Sequence, residues 1–172
     1  MILTLIFTAA FLAGMLAPSS TRQQMTDAFQ VVADNYRGLA GGKLFFTLLL
    51  HNVMATIFLL ISGVIVGIIP AFAIGANGFI LGVVYRQTSE MVGYSKAALK
   101  VLPHGVFELP ALLIAASYGL WLGVTIVLRM RGKESMLLRS HVEHAFRRYF
   151  TIVFPLLIVA AGIETALILG LQ

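Results

Sequence analysis

Five long apolar segments, separated by polar stretches, limit what this chain can fold into more than any other feature of its sequence. An α-helix rises ~1.5 Å per residue, so roughly 20 apolar residues are needed to cross the hydrocarbon core of a bilayer. The segments occupy about residues 1–17, 44–69, 71–85, 102–128 and 149–171. The pattern predicts an all-α fold, in which a single transmembrane domain over residues 1–172 forms an integral membrane helical bundle with about five transmembrane helices.

The third segment is short and rich in glycine, and Pro70 precedes it. Because the proline ring cannot continue a helix without a kink or a break, Pro70 predicts an interruption between the second and third spans. The segment falls short of the bilayer thickness, so we expect protein or water to shield its ends.

The composition excludes several classes of protein. Of the 172 residues, 59% are hydrophobic and 11% are charged, whereas about a quarter of the residues in soluble domains are charged. The chain has no cysteine, which excludes disulfides, thiolate catalysis and cysteine-ligated metals. Its net charge of +5 favours anionic lipid headgroups as partners over nucleic acid, since its basic residues are not interleaved with aromatic ones.

The polar connection at 18–43 has a helical pattern. Met25, Phe29, Val32 and Tyr36 fall on one side of a helix. Two interpretations remain open, because such a helix could lie on the membrane surface or pack on its own bundle.

The connection at 129–148 holds six arginine and lysine residues. This density predicts the cytoplasmic side, which would place the N-terminus of a multi-pass cell-membrane protein in the cytoplasm. Val142 and Ala145 fall on one apolar stripe of a helix here. We expect His141 and His144 to be solvated surface residues.

Polar side chains interrupt four of the five apolar segments. Most of them should lie roughly 10 Å below the membrane face that carries 18–43, given ~1.5 Å of rise per residue. A charge at the bilayer centre costs about 2.5–3.5 kcal/mol or more, so ionisable groups there normally face the bundle interior. The sequence therefore predicts one buried polar site, formed by His51, Asn52, Asn77, His104, Glu108 and Glu164.

Three kinds of chemistry fit this predicted site. It could be a structural hydrogen-bond network, or a path for protons or ions. It could also be a metal site in which His51, His104 and Glu108 bind a divalent metal such as zinc. No catalytic residue is assigned, because the sequence has neither a metalloprotease motif nor an evident nucleophile–base pair.

Glycines four residues apart occur three times in the apolar segments. Such spacing lets helix backbones approach closely in lipid, either within one chain or between two copies of a homo-oligomer. The pairs are Gly63 with Gly67, Gly78 with Gly82, and Gly119 with Gly123. They predict a tight core of the second, third and fourth spans.

Polar and small residues in these three spans also form a recognisable pattern. They are His51-Asn52, Gly63 and Gly67, Asn77-Gly78 with Gly82, and Pro103-His104-Gly105 with Glu108 and Pro110. With them the chain resembles the stage II sporulation protein M family, small multi-span proteins of bacteria and archaea. In that family a P-H-G-x-x-E-L-P motif opens the fourth span.

The resemblance implies a membrane anchor that recruits and localises partner proteins, peptidoglycan-degrading ones in the engulfment step of spore formation. The function expected from the sequence is thus a non-enzymatic scaffold that organises other membrane proteins. The alternative is an ion-, proton- or metal-handling protein that uses the buried His, Glu and Asn residues. An intramembrane metal-dependent hydrolase is a third interpretation.

Overall fold

In the described residues the fold consists of seven α-helices and one π-helical segment. The computed structural model describes residues 1–34, 36, 38–63, 68–133 and 138–170, except for the side chains at 26, 29–34 and 100–104. The helices are α1 (Ile2–Met15), α2 (Ser19–Asp34), α3 (Gly41–Ser62), α4 (Ile68–Val92), α5 (Tyr94–Met130), α6 (Leu138–Arg148) and α7 (Phe154–Gly170), with the π segment at Tyr149–Val153. Every element in the described residues is helical, which confirms the all-α prediction.

Within the described residues, four helices are long and apolar enough to cross a membrane. They are Gly41–Ser62, Ile68–Val92, Gly105–Met130 and Leu138–Gly170, the last being α6, the π segment and α7 in continuity. The start of α2 passes the same test together with α1, but the two meet at a bend of 109°. Counting that bent pair as one span gives five, so the predicted membrane bundle is confirmed.

The third span is longer than the apolar segment that marks it in the sequence. Pro70 is the third residue of α4, in the first turn, where its missing N–H breaks no intrahelical hydrogen bond. The helix then continues through polar residues to Val92. Hydropathy identifies only the apolar part of a helix, so the sequence pattern did not include the polar C-terminal turns of α4.

The fourth span belongs to a helix of 37 residues that begins directly after α4. Gly93 separates the two with a φ of 85°, a left-handed conformation that glycine adopts without strain. The motif that begins at Pro103 opens the fourth apolar segment of the sequence, but α5 begins at Tyr94 and Pro103 lies in its interior. The preceding stretch is rich in lysine and alanine, which favour helix without forming an apolar segment.

Glycines join α1 to α4. A Cβ atom built on Gly78 would meet the backbone of Phe7, and one built on Gly82 would overlap the backbone of Phe11. Both partners advance by four residues in the same direction, so α1 and α4 run parallel. This differs from the core expected for the second to fourth spans, because spacing identifies a smooth helix surface but not the helix that covers it.

The remaining spans, α3, α5 and α7, pack together. Gly63 and Gly119 bring α3 and α5 into backbone contact, and Gly123 is buried, whereas Gly67 lies outside the described residues. Side chains fill the rest of this core, which comprises Leu60, Ala111, Ala115, Leu122, Ala145, Tyr149, Val153 and Leu157. A methyl or larger side chain at Gly63 would displace the α5 backbone.

The bundle has two distinct ends. At the α2 end, α2 meets the last turns of α4, and α5 begins directly after α4. At the α6 end, α6 runs antiparallel to the second half of α5, since Trp121 contacts His141 while the earlier Tyr118 contacts His144.

Candidate functional site

Two carboxylates from different spans come together inside the bundle. Glu108 lies on α5 and Glu164 on α7, and both are partly buried. The two carboxyl groups are near enough to interact electrostatically. Interacting carboxyl groups inside a membrane bundle can take up a proton or attract a cation.

A second polar cluster joins α3 to the π segment. The Thr56 hydroxyl lies 2.9 Å from the Tyr149 hydroxyl and donates to the Asn52 carbonyl at 2.8 Å. Thr56, Tyr149 and Asn52 are all buried. A π-helical segment often occurs at a functional site, and here it carries the tyrosine whose hydroxyl meets the neighbouring helix.

The other predicted site residues lie elsewhere. His51 is exposed on α3, and Asn77 is exposed on α4, where its amide donates to the Ala73 carbonyl at 3.0 Å. The side chain of His104 lies outside the described residues. The described part of the chain contains no group of three or more His, Asp or Glu residues able to hold a metal, so the set of His51, His104 and Glu108 stays a prediction.

At the α2 end, a network of charged and polar side chains joins three helices. Glu90 accepts from Arg22 of α2 at 2.8 Å and from Arg86 of its own helix at 2.9 Å. Arg86 also donates to the Tyr94 hydroxyl of α5 at 2.6 Å. The helix predicted within 18–43 is confirmed, and through Arg22 it is attached to its own bundle.

At the α6 end, histidines and aromatic rings pack together. The ring centroids of Trp121 and His141 are 4.9 Å apart, and those of Tyr118 and His144 are 6.1 Å apart. His141 is buried at 8% exposure, which corrects the expectation of a solvated side chain, whereas His144 is exposed. The sequence did hold a sign of this burial, because His141 precedes Ala145 of the apolar stripe by about one helical turn.

The fold and these sites define a multi-pass helical membrane protein with polar groups inside the bundle. The family model for stage II sporulation protein M matches residues 3–167. The chain therefore belongs to that family, as its motifs indicate. It is also 31% identical over 123 residues to an uncharacterized protein of Methanocaldococcus jannaschii, covering 69% of this chain and 68% of the relative. No solved structure matches it.

Proposed function

We propose that this protein is a non-enzymatic membrane scaffold that holds partner proteins at the bilayer through its two water-facing helices. The proposal rests on one observation, which is that both α2 and α6 are fixed to the spans by specific contacts. A docking surface that is already ordered loses less conformational entropy when a partner binds.

The attachment of α2 depends on charge. Arg22 reaches Glu90, and that carboxylate is also held by Arg86. The outer side of α2 remains open to solvent at Gln24 and Ala28. A partner could therefore dock there without disturbing the network.

The attachment of α6 depends on packing and on helix continuity. Ala145 is fully buried against α5, and α6 passes through the π segment into α7. Its outer side carries Arg139 and Glu143, joined by an ion pair of 2.7 Å. The last span thus extends as a helix with a charged outer surface.

Photo-cross-linking in cells tests the scaffold proposal. A photoreactive residue at Ala28 or Glu143 should give a discrete protein adduct that recurs between preparations, whereas one at the exposed α7 residue Val159 should not. Adding Glu90→Gln should weaken the adduct from Ala28 and spare the one from Glu143. Equal adducts from all three positions, or none, would contradict the proposal.

The pair Glu108 and Glu164 supports a second candidate function, the handling of protons or ions. Proton and ion flux into liposomes that contain the purified protein tests this function. The Glu108→Ala variant is compared with the parent. Flux that requires Glu108 would favour this function, and equal flux in parent and variant would remove it.

A resident divalent metal such as zinc, bound by His51, His104 and Glu108, is the related proposal for a cofactor. Imidazole and carboxylate groups are common zinc ligands. Metal content of the purified protein tests it, with His104→Ala beside the parent. A stoichiometric metal that the variant loses would support the site, and a sub-stoichiometric content in the parent would reject it.

A further inference from the structure

The α6 end carries arginines at the level where α7 enters the membrane. Arg147 and Arg148 form the last turn of α6, and both are exposed. The five residues of the π segment and the 17 of α7 follow them. At ~1.5 Å per residue this length spans roughly 30 Å, which is the thickness of the hydrocarbon core. From this length we expect the two arginines to lie near the headgroups of one leaflet.

These arginines differ from the other charged groups of α6. Arg139 pairs with Glu143 at 2.7 Å, but within the described ranges no carboxylate pairs with Arg147 or Arg148. Two adjacent guanidinium groups without an internal counter-ion attract an external anion. A phosphate suits them, because guanidinium binds its oxygens in a two-pronged geometry.

A groove of about 230 Å³ lies between α5 and α6, and its α6 residue, His144, precedes Arg148 by about one helical turn. Ser117, Tyr118 and Trp121 of α5 line it, together with His144 of α6. His144 and Arg148 are four residues apart, so they share one side of the helix. Tyr and Trp are the residues that favour the headgroup region of a bilayer.

An apolar surface continues from the arginines toward the membrane interior. Phe150 follows Arg147 by about one turn and is 58% exposed. Its ring packs against Phe154 with the centroids 6.2 Å apart. A ligand at this surface would contact the arginines with its charged part and the phenylalanines with its apolar part. An amphipathic molecule matches this arrangement better than a free ion.

We propose that this end of the bundle binds an anionic phospholipid of the adjacent leaflet. Arg147 and Arg148 hold the phosphate, the groove beside His144 takes the polar part of the headgroup, and the acyl chains run along Phe150. The site is independent of any partner protein, so it can exist whether or not the scaffold function holds.

Lipid binding to the purified protein in neutral detergent, followed by native mass spectrometry, tests the proposal. Phosphatidylglycerol should bind in preference to phosphatidylcholine with the same acyl chains, and an excess of inorganic phosphate should not displace it. Replacing Arg147 and Arg148 by Gln should weaken phosphatidylglycerol binding by roughly fivefold per arginine removed.

Arg139→Gln is the matched control, since it removes one positive charge from the same helix at a residue that is already paired. It should leave the preference for phosphatidylglycerol intact. An equal loss of phosphatidylglycerol binding in this control would show that the lipid responds only to the total positive charge of α6, and would overturn the proposed site. Displacement by inorganic phosphate would reduce it to a simple anion site, and an unchanged preference in the double variant would refute it. Melting temperatures of the variants confirm that they are folded.

Discussion

The two ends of this bundle differ in whether the arginines next to the spans have a carboxylate partner. At the α2 end, Arg22 and Arg86 share the carboxylate of Glu90, so their charge is satisfied inside the protein. At the α6 end, Arg147 and Arg148 are exposed and, in the part of the chain that is described, have no carboxylate partner. The first arrangement joins helices to one another. The second leaves positive charge available to a ligand from outside.

Gly82→Leu should cause the largest loss of stability, and that loss should be greater at the α2 end than at the α6 end. The added side chain would meet the backbone of Phe11, and overpacking of this kind costs about 1–3 kcal/mol or more. Displacement of α1 from α4 should also release α2, which follows α1, while the α6 end stays intact. Thermal unfolding measures the loss, and hydrogen exchange locates it.

Gly162→Leu is the control, because a Cβ atom there meets no other atom within 4 Å. It should melt close to the parent. An equal loss of stability from both substitutions would show that Gly82 is not specifically needed at the contact between α1 and α4.

Glu90→Gln should have the next largest effect on stability, and only the α2 end should be destabilised. Arg22 and Arg86 would lose their shared negative partner. We expect faster hydrogen exchange in α2 and unchanged exchange in α6. Protection of α2 that equals the parent's would show that packing alone holds this helix.

Tyr149→Phe should have a smaller effect, because it removes one hydroxyl beneath the α6 end. Side-chain hydrogen bonds between membrane helices average about 0.6 kcal/mol, and the phenyl ring would still fill the buried space. A modest fall in melting temperature is therefore expected. A loss of several kcal/mol would mean that the contact with Thr56, rather than packing, holds α6 in place.

Arg139→Gln should have the smallest effect on stability. The pair it forms with Glu143 is exposed, and such pairs four residues apart contribute about 0.3–0.5 kcal/mol. Its melting curve should almost overlay that of the parent. A large shift would show that the ion pair helps to fix the α6 end.

Apolar patterning was sufficient to predict the class of fold. Long segments without charge have few alternatives to membrane helices, and four or five such helices are present. The polar and glycine motifs of the second to fourth spans indicated the family, and its model matches residues 3–167.

Helix partners and polar contacts were harder to predict. Gly78 and Gly82 indicated a close approach, but their partner α1 depends on how the whole chain packs. His141 looked like one more residue of a basic connection, yet it is buried beside Trp121. The network around Glu90 joins residues distant in sequence, so neither spacing nor hydropathy along the chain could reveal it.

The central claim is that the α6 end leaves the bilayer at Arg148 as a continuation of the last span, with its charged surface in water. The chain has no native cysteine, so single cysteines can be labelled in intact membranes without background. With membrane-impermeant maleimide supplied on the α6 side, Glu143→Cys should react readily and Val159→Cys should not. Equal labelling at the two positions, or labelling of Val159→Cys alone, would contradict this account.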